Sequence, residues 1–315
     1  MFNDIVVVLL RILLLGVSLS ACLADSWRYP TPGPDGTIGE PEDWGENCDF
    51  GKRQSPIDIT YKAAVKGSYS EFIFQNYDKP LVNASLVNTG HTIQINLDDA
   101  STSIYGGGLR SKYFLEQLHF HWNSEHTIDG TRYALELHLV HHHSKFNSVA
   151  EAATTKAGVA VVAVLFHVNE HSNLVLSTIL NATEEIKSKI NERVQLRDET
   201  SLEELLPKNR SVYFRYEGSL TTPVCAESVV WTVFPESLPL SLAQLEEFKT
   251  VHDLDDNEML LNYRPVQALN ARVLVLVSDA DIPVDSGASS RWLAEILPLT
   301  VIVSFLTIVT ARLRW

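Results

Sequence analysis

Between residues 71 and 277, short runs rich in β-branched and aromatic side chains recur between turn-forming residues. Runs at 71–75, 92–97, 113–122, 133–141, 158–168, 212–216, 228–234 and 273–277 predict strands. Few stretches keep helical spacing. It predicts helices over 174–189 and 240–251, the second with Ser241 as N-cap. Residues 25–47 are rich in Pro and Gly and predict irregular chain laid on a surface. No internal repeat interrupts the pattern. It predicts a mostly β fold with a few surface helices (α+β), as one domain.

The ends differ from this middle. An apolar run over 5–15, followed by small residues up to Ala24, predicts a secretory signal peptide over 1–24. Leu19-Ser20-Ala21-Cys22 would also serve as a lipoprotein processing site. At the other end, the small residues Asp285-Ser286-Gly287-Ala288-Ser289-Ser290 precede a polar spacer and an apolar run over 296–311. That order predicts a GPI-anchor signal within 285–315. Arg312 and Arg314 after the run keep a single membrane span open as the alternative. Residues 25–284 remain for the folded domain.

Composition narrows the class. The 315 residues are 45% hydrophobic and 20% charged, which excludes a wholly disordered or fibrous chain. A net charge of −14 with no block of Lys or Arg argues against nucleic acid as a partner. Loss of the signal peptide would remove Cys22 and leave Cys48 and Cys225, which predict one disulfide in a secreted context. The sequons at Asn83, Asn181 and Asn209 predict glycosylation on the same route.

Candidate chemistry lies in the histidines. In a strand over 113–122, Gln117, His119 and His121 share one face, and Leu118, Phe120 and Trp122 the other. Asp129-Gly130 signals a turn. In the following run Glu136, His138 and Val140 share a face opposite Leu135, Leu137 and Leu139. Antiparallel pairing of the two runs would set His138 beside His119 and His121. Three imidazoles from two strands leave one tetrahedral position open, the form of a catalytic zinc centre. Gln117 and Glu136 are placed to hold the outer ring nitrogens. Among His141, His142 and His143, only His141 is expected to face inward. A metal tract there is the alternative reading.

Several segments, in order along the chain, resemble the α-class carbonic anhydrases. They are Arg53-Gln54-Ser55-Pro56-Ile57-Asp58-Ile59, Thr89-Gly90-His91, Gln117-Leu118-His119-Phe120-His121-Trp122, Ser124-Glu125-His126-Thr127, Glu136-Leu137-His138-Leu139-Val140-His141, Gly218-Ser219-Leu220-Thr221-Thr222-Pro223 and Asn262-Tyr263-Arg264-Pro265. The resemblance extends from about Trp27 to Val277. It implies one domain on a large central, mainly antiparallel twisted sheet. It also implies Zn2+ on His119, His121 and His138, and reversible hydration of CO2 to bicarbonate. Thr221 would accept a hydrogen bond from the nucleophile and donate its own to Glu125. His91 would shuttle protons. Val140, Val161, Leu220, Thr222, Val229 and Trp231 would line the CO2 pocket, Tyr29 and Gln94 would belong to a solvent network, and Asn262 would stand with Gln117 and Glu136 behind the metal ligands. The fast members of the family often carry Asn where Thr89 stands. Cys48 and Cys225 fall where the extracellular, membrane-anchored, GPI-linked branch carries its disulfide. Two rival readings are an inactive carbonic-anhydrase-related binding or adhesion ectodomain, whose members typically lack a zinc histidine, and a zinc peptidase, for which no His-Glu-x-x-His helix exists.

Overall fold

Alternation of apolar and polar side chains builds the two central strands, Tyr113–His121 and Leu135–His143. The computed structural model describes residues 27–278 except 32–38, 40, 42–43, 46, 82–83, 98–100 and 197–200. Among them, the main path of the large sheet runs Arg193–Gln195, Ala84–Asn88, Ile93–Leu97, Tyr113–His121, Leu135–His143, Val159–Asn169, Val229–Val233, Tyr213–Gly218, Val275–Val277, Val65–Gly67. Neighbours along this path are antiparallel, except that Val159–Asn169 runs parallel to Val229–Val233 and Val275–Val277 parallel to Val65–Gly67. The expected mostly β, mainly antiparallel single-domain architecture is what the chain adopts, as a mixed sheet.

The two faces of the sheet bury different sets. Leu118, Phe120, Leu135, Leu137 and Leu139 enter one apolar core, together with Ile93, Ile95 and residues of the helix Leu174–Thr183. Val140, Val161, Val229 and Trp231 enter a second apolar cluster on the other face. The strand Val159–Asn169 is buried on both faces from Val159 to Phe166, so it reads as a continuous apolar run.

Local signals act where they were read. Asp129 and Gly130 adopt φ of 46° and 76°, the left-handed values of a two-residue hairpin turn. They join Thr127–Ile128 to Thr131–Arg132, and Asp58–Ile59 completes this small sheet. Ser241 caps the helix Leu242–Phe248 by accepting from the Gln244 N–H, with Gln244 reaching back in a capping box. Both helices are shorter than their apolar spacing predicts. Leu174–Thr183 gives way to tight turns in which the N–H groups of Glu185, Ile186 and Lys189 donate three residues back, and beyond them the Lys187 carbonyl accepts from Asn88 Nδ2 and the His252 N–H. Ile186 is buried by the resulting tight turns.

One expectation needs correction. His141 does face inward, with Nε2 2.6 Å from the Tyr77 hydroxyl and Nδ1 3.1 Å from the Ala160 carbonyl. His142 is buried as well, opposite Phe114. The strand continues to His143, and a register shift between Val140 and His141 turns the later residues.

Residues 279–315, the 1–24 segment and Asn83 lie outside the described residues, and so do the targeting, anchoring and first glycosylation expectations. Among the described residues no helix is long and apolar enough to cross a membrane. Asn181 and Asn209 are exposed.

Candidate metal centre

His138 pairs directly with His119 across the two central strands, and Glu136 with His121. The period of two then places all three imidazoles on one face. Each ring has one nitrogen held from outside. His119 Nδ1 lies 2.9 Å from Gln117 Oε1, and His138 Nε2 lies 2.7 Å from Glu136 Oε1. His121 Nδ1 lies 2.7 Å from the backbone carbonyl of Asn262. These contacts leave His119 Nε2, His121 Nε2 and His138 Nδ1 turned toward a common point. The three rings offer ligand atoms within 4.8 Å of one another.

The donor set fits zinc. Nitrogens around a tetrahedral zinc, at about 2.0–2.1 Å from it, stand about 3.3 Å apart. His138 Nδ1 and His119 Nε2 are 3.3 Å apart. His121 Nε2 is buried with no hydrogen-bond partner, which is costly unless a further group meets it. Burial holds the pKa of His119 well below its ordinary value, and the neighbouring His121 and His138 push it the same way. Burial also lowers His121, against the opposing pull of Glu125. Rings kept neutral are the form that binds metal.

Glu136 holds more than one ligand. Its Oε1 also lies 2.6 Å from His126 Nδ1, and its Oε2 accepts from the His126 N–H. Burial alone would raise its pKa, but His126 and His138 outweigh that and hold it well below the usual carboxylate range. His126 Nε2 continues to the Tyr216 hydroxyl, 2.7 Å away, which donates to Ser55 Oγ. A relay of side chains thus fixes the imidazole of His138. Sequence reasoning assigned no role to His126, Tyr216 or Ser55, although all but Tyr216 stand in the quoted motifs.

Glu125 and Thr221 are both buried, and Glu125 stands beside the imidazoles. Glu125 Oε1 accepts from the Arg264 N–H, whose guanidinium is spent on Gln54, Ser55 and the Cys48 carbonyl. Glu125 Oε2 has no hydrogen-bond partner, so the expected bond from Thr221 is not formed. This oxygen stands 3.6 Å from His121 Nε2 and 4.0 Å from His138 Nδ1. Cys225 follows the Thr221–Pro223 segment and is bonded to Cys48 with a Cα–Cα separation of 5.1 Å.

An apolar wall adjoins the rings. Val140 pairs with Val161, and Val161 with Trp231, so three strands carry one row beside His138. Val229 belongs to the same cluster, Leu220 packs against it, and Thr222 is half-buried. The Trp231 ring lies 4.8 Å from that of His138.

His91 stacks on Trp27 with centroids 3.7 Å apart, and its Nε2 lies 3.0 Å from the Trp27 carbonyl. Gln94 pairs with His119 across the sheet and donates to Asn96 Oδ1. The Tyr29 ring lies 6.4 Å from those of His91 and His121. Burial and the charge of Glu125 push its hydroxyl pKa well above the ordinary value. Asn262 side-chain atoms bond Trp122, His91 and Phe120 backbone groups, locking the ends of three segments together.

Such a site defines a class: a β-sheet protein whose buried imidazoles can take one metal ion against an apolar wall. The family model for eukaryotic-type carbonic anhydrase matches residues 39–278. The chain belongs to that family. It is 38% identical over 236 residues to "Putative carbonic anhydrase 3" of Caenorhabditis elegans, covering 71% of this chain and 90% of the relative. It is 36% identical over 262 residues to mouse "Carbonic anhydrase 6", covering 79% and 80%. It is 38% identical over 259 residues to rabbit "Carbonic anhydrase 4", covering 78% and 82%.

Proposed function

We propose that the protein is a zinc-dependent enzyme that interconverts CO2 and bicarbonate at the extracellular face of a membrane. The observation that carries the catalytic part is the set of three inward nitrogens, each on a ring held from behind, with one of them buried and unpartnered. His119, His121 and His138 would hold Zn2+, which supplies a Lewis acid that lets water lose a proton near neutral pH. The other roles fall to the chain itself. Val140, Val161, Leu220, Val229 and Trp231 hold CO2, an apolar molecule, by contact and exclude competing water. Thr222 borders the mouth of this pocket. Thr221 orients the attacking oxygen once its hydroxyl donates to Glu125 Oε2, an acceptor with nothing else to bind. His91, on the half-buried rim beside Trp27, carries protons outward, a task suited to an imidazole, the side chain whose charge changes near neutral pH. Tyr29 and Gln94 border the path between His91 and the rings.

The extracellular part rests on the disulfide between Cys48 and Cys225, which persists in oxidising compartments. It rests also on the apolar terminal runs and the sequons at Asn83, Asn181 and Asn209. A GPI anchor is favoured over a span by the shortness of the run over 296–311.

Purified protein should hydrate CO2 near pH 7, lose the activity when a chelator strips its metal, and regain it with Zn2+. Inert, metal-free protein that ignores added Zn2+ would instead favour the binding ectodomain. Phospholipase C should release the protein from intact cells; retention would favour a span.

A further inference from the structure

Away from the metal centre, the strand Tyr213–Gly218 turns Arg215 and Glu217 to the face opposite Phe214 and Tyr216. There a cavity of about 730 Å³ opens, bordered by the cations Lys52, Arg53, Arg110, Arg215 and Arg272. Five positive side chains around one hollow are unexpected in a chain whose net charge is −14. Glu217 is the carboxylate in the lining, and it is already taken by Arg53 and by Lys156, the latter at 3.2 Å. Arg272 is held by the carbonyls of Glu217, Ala268 and Leu269, which orient it without neutralising it.

Arg215 is the centre of the case. It is only 5% exposed, and its Nε and Nη2 have no hydrogen-bond partner in the protein. Phe72 and Tyr213 offer ring faces, with centroids 5.5 and 5.3 Å from the guanidinium carbon. That attraction is smaller than the cost of taking a cation out of water, and it satisfies no N–H. Burial accordingly pushes the pKa of Arg215 down. A planar fork of donors without a carboxylate partner, beside four more cations, matches the geometry of an oxyanion with several negative oxygens.

We propose that this cavity is a binding site for a small multivalent oxyanion, a phosphate-bearing or polycarboxylate molecule, with Arg215 at its floor and Arg110 and Lys52 at its rim. None of the three imidazoles of the metal centre lines it. Calorimetric titration of the full-length protein with inorganic phosphate and, separately, with citrate, at ionic strength held constant with NaCl, tests it. One saturable site per chain is expected for at least one anion, and the anion preferred tells which source the site serves. Arg215→Gln should weaken it by about 10- to 100-fold, the range of hydrogen bonds to charged groups. Arg110→Ala, an exposed change that spares folding, should weaken it several-fold. Absence of saturable binding to both anions, or wild-type affinity in these variants, would overturn the proposal. If Arg215→Gln does not fold, Arg110→Ala decides alone: weaker binding supports the site, and unchanged binding removes it.

Discussion

The two central strands present opposite solutions on their two faces. Leu118, Phe120, Leu137 and Leu139 fill one face with groups that need only contact. His119, His121 and His138 fill the other with groups that need partners, and Gln117, Asn262 and Glu136 supply them. The apolar face gives stability through area and packing. The polar face meets its outer requirements and leaves inward atoms unmet, among them His121 Nε2 and Glu125 Oε2. A buried polar group left in that state is tolerated where a ligand will meet it. The difference teaches that function here lies in what the fold leaves unsatisfied, while stability lies in what it completes.

Substitutions on each face should separate these two properties. His138→Ala should have the largest effect: zinc content near zero by metal analysis and no measurable CO2 hydration, with the fold retained by circular dichroism. Wild-type turnover would refute the ligand assignment. Leu137→Ala, on the reverse side of the same strand, should lower stability by about 2–5 kcal/mol in urea unfolding while zinc stoichiometry stays at one. Zinc loss in that variant at temperatures where it remains folded would break the separation. Glu136→Gln should weaken zinc by about 10- to 100-fold in competition with a chelator, because the outer partner of His138 and His126 is lost.

The smallest effect tests the borderline residue His141, whose polar ring sits near the apolar core with a pKa lowered by burial to about 3. The folded protein keeps this ring neutral, whereas the unfolded chain protonates it below about pH 6.5. Its contribution to stability is therefore present above about pH 6.5 and is lost as pH falls from there toward about 3. His141→Gln should flatten the decline in stability between pH 6 and pH 5 by up to about 1.4 kcal/mol per pH unit. An unchanged slope in urea unfolding at several pH values would show that His141 carries no such linkage.

Much of the metal centre was legible because it is periodic. His-x-His, the Asp129-Gly130 turn and the alternation around His138 each follow from a period of two and a hairpin. The partner of His121 was not legible in the same way. The Asn262 carbonyl is a backbone group brought from a distant loop, and no side-chain pattern announces it. Likewise Glu125 meets the Arg264 N–H, and His126 bridges Glu136 to Tyr216, through contacts that local spacing does not encode. The helix beginning at Leu174 ends at Thr183 in tight i→i−3 turns, and the chain beyond it bonds to distant segments through the Lys187 carbonyl. Arg215 read as an ordinary strand residue, since only the assembled walls reveal that its charge is buried.

X-ray absorption at the zinc edge of the metal-loaded protein probes the central claim most directly. The account predicts three imidazole nitrogens and one solvent oxygen, all at about 2.0–2.1 Å. A first shell with sulfur, with fewer than three imidazoles, or with a fourth protein ligand in place of solvent would contradict it.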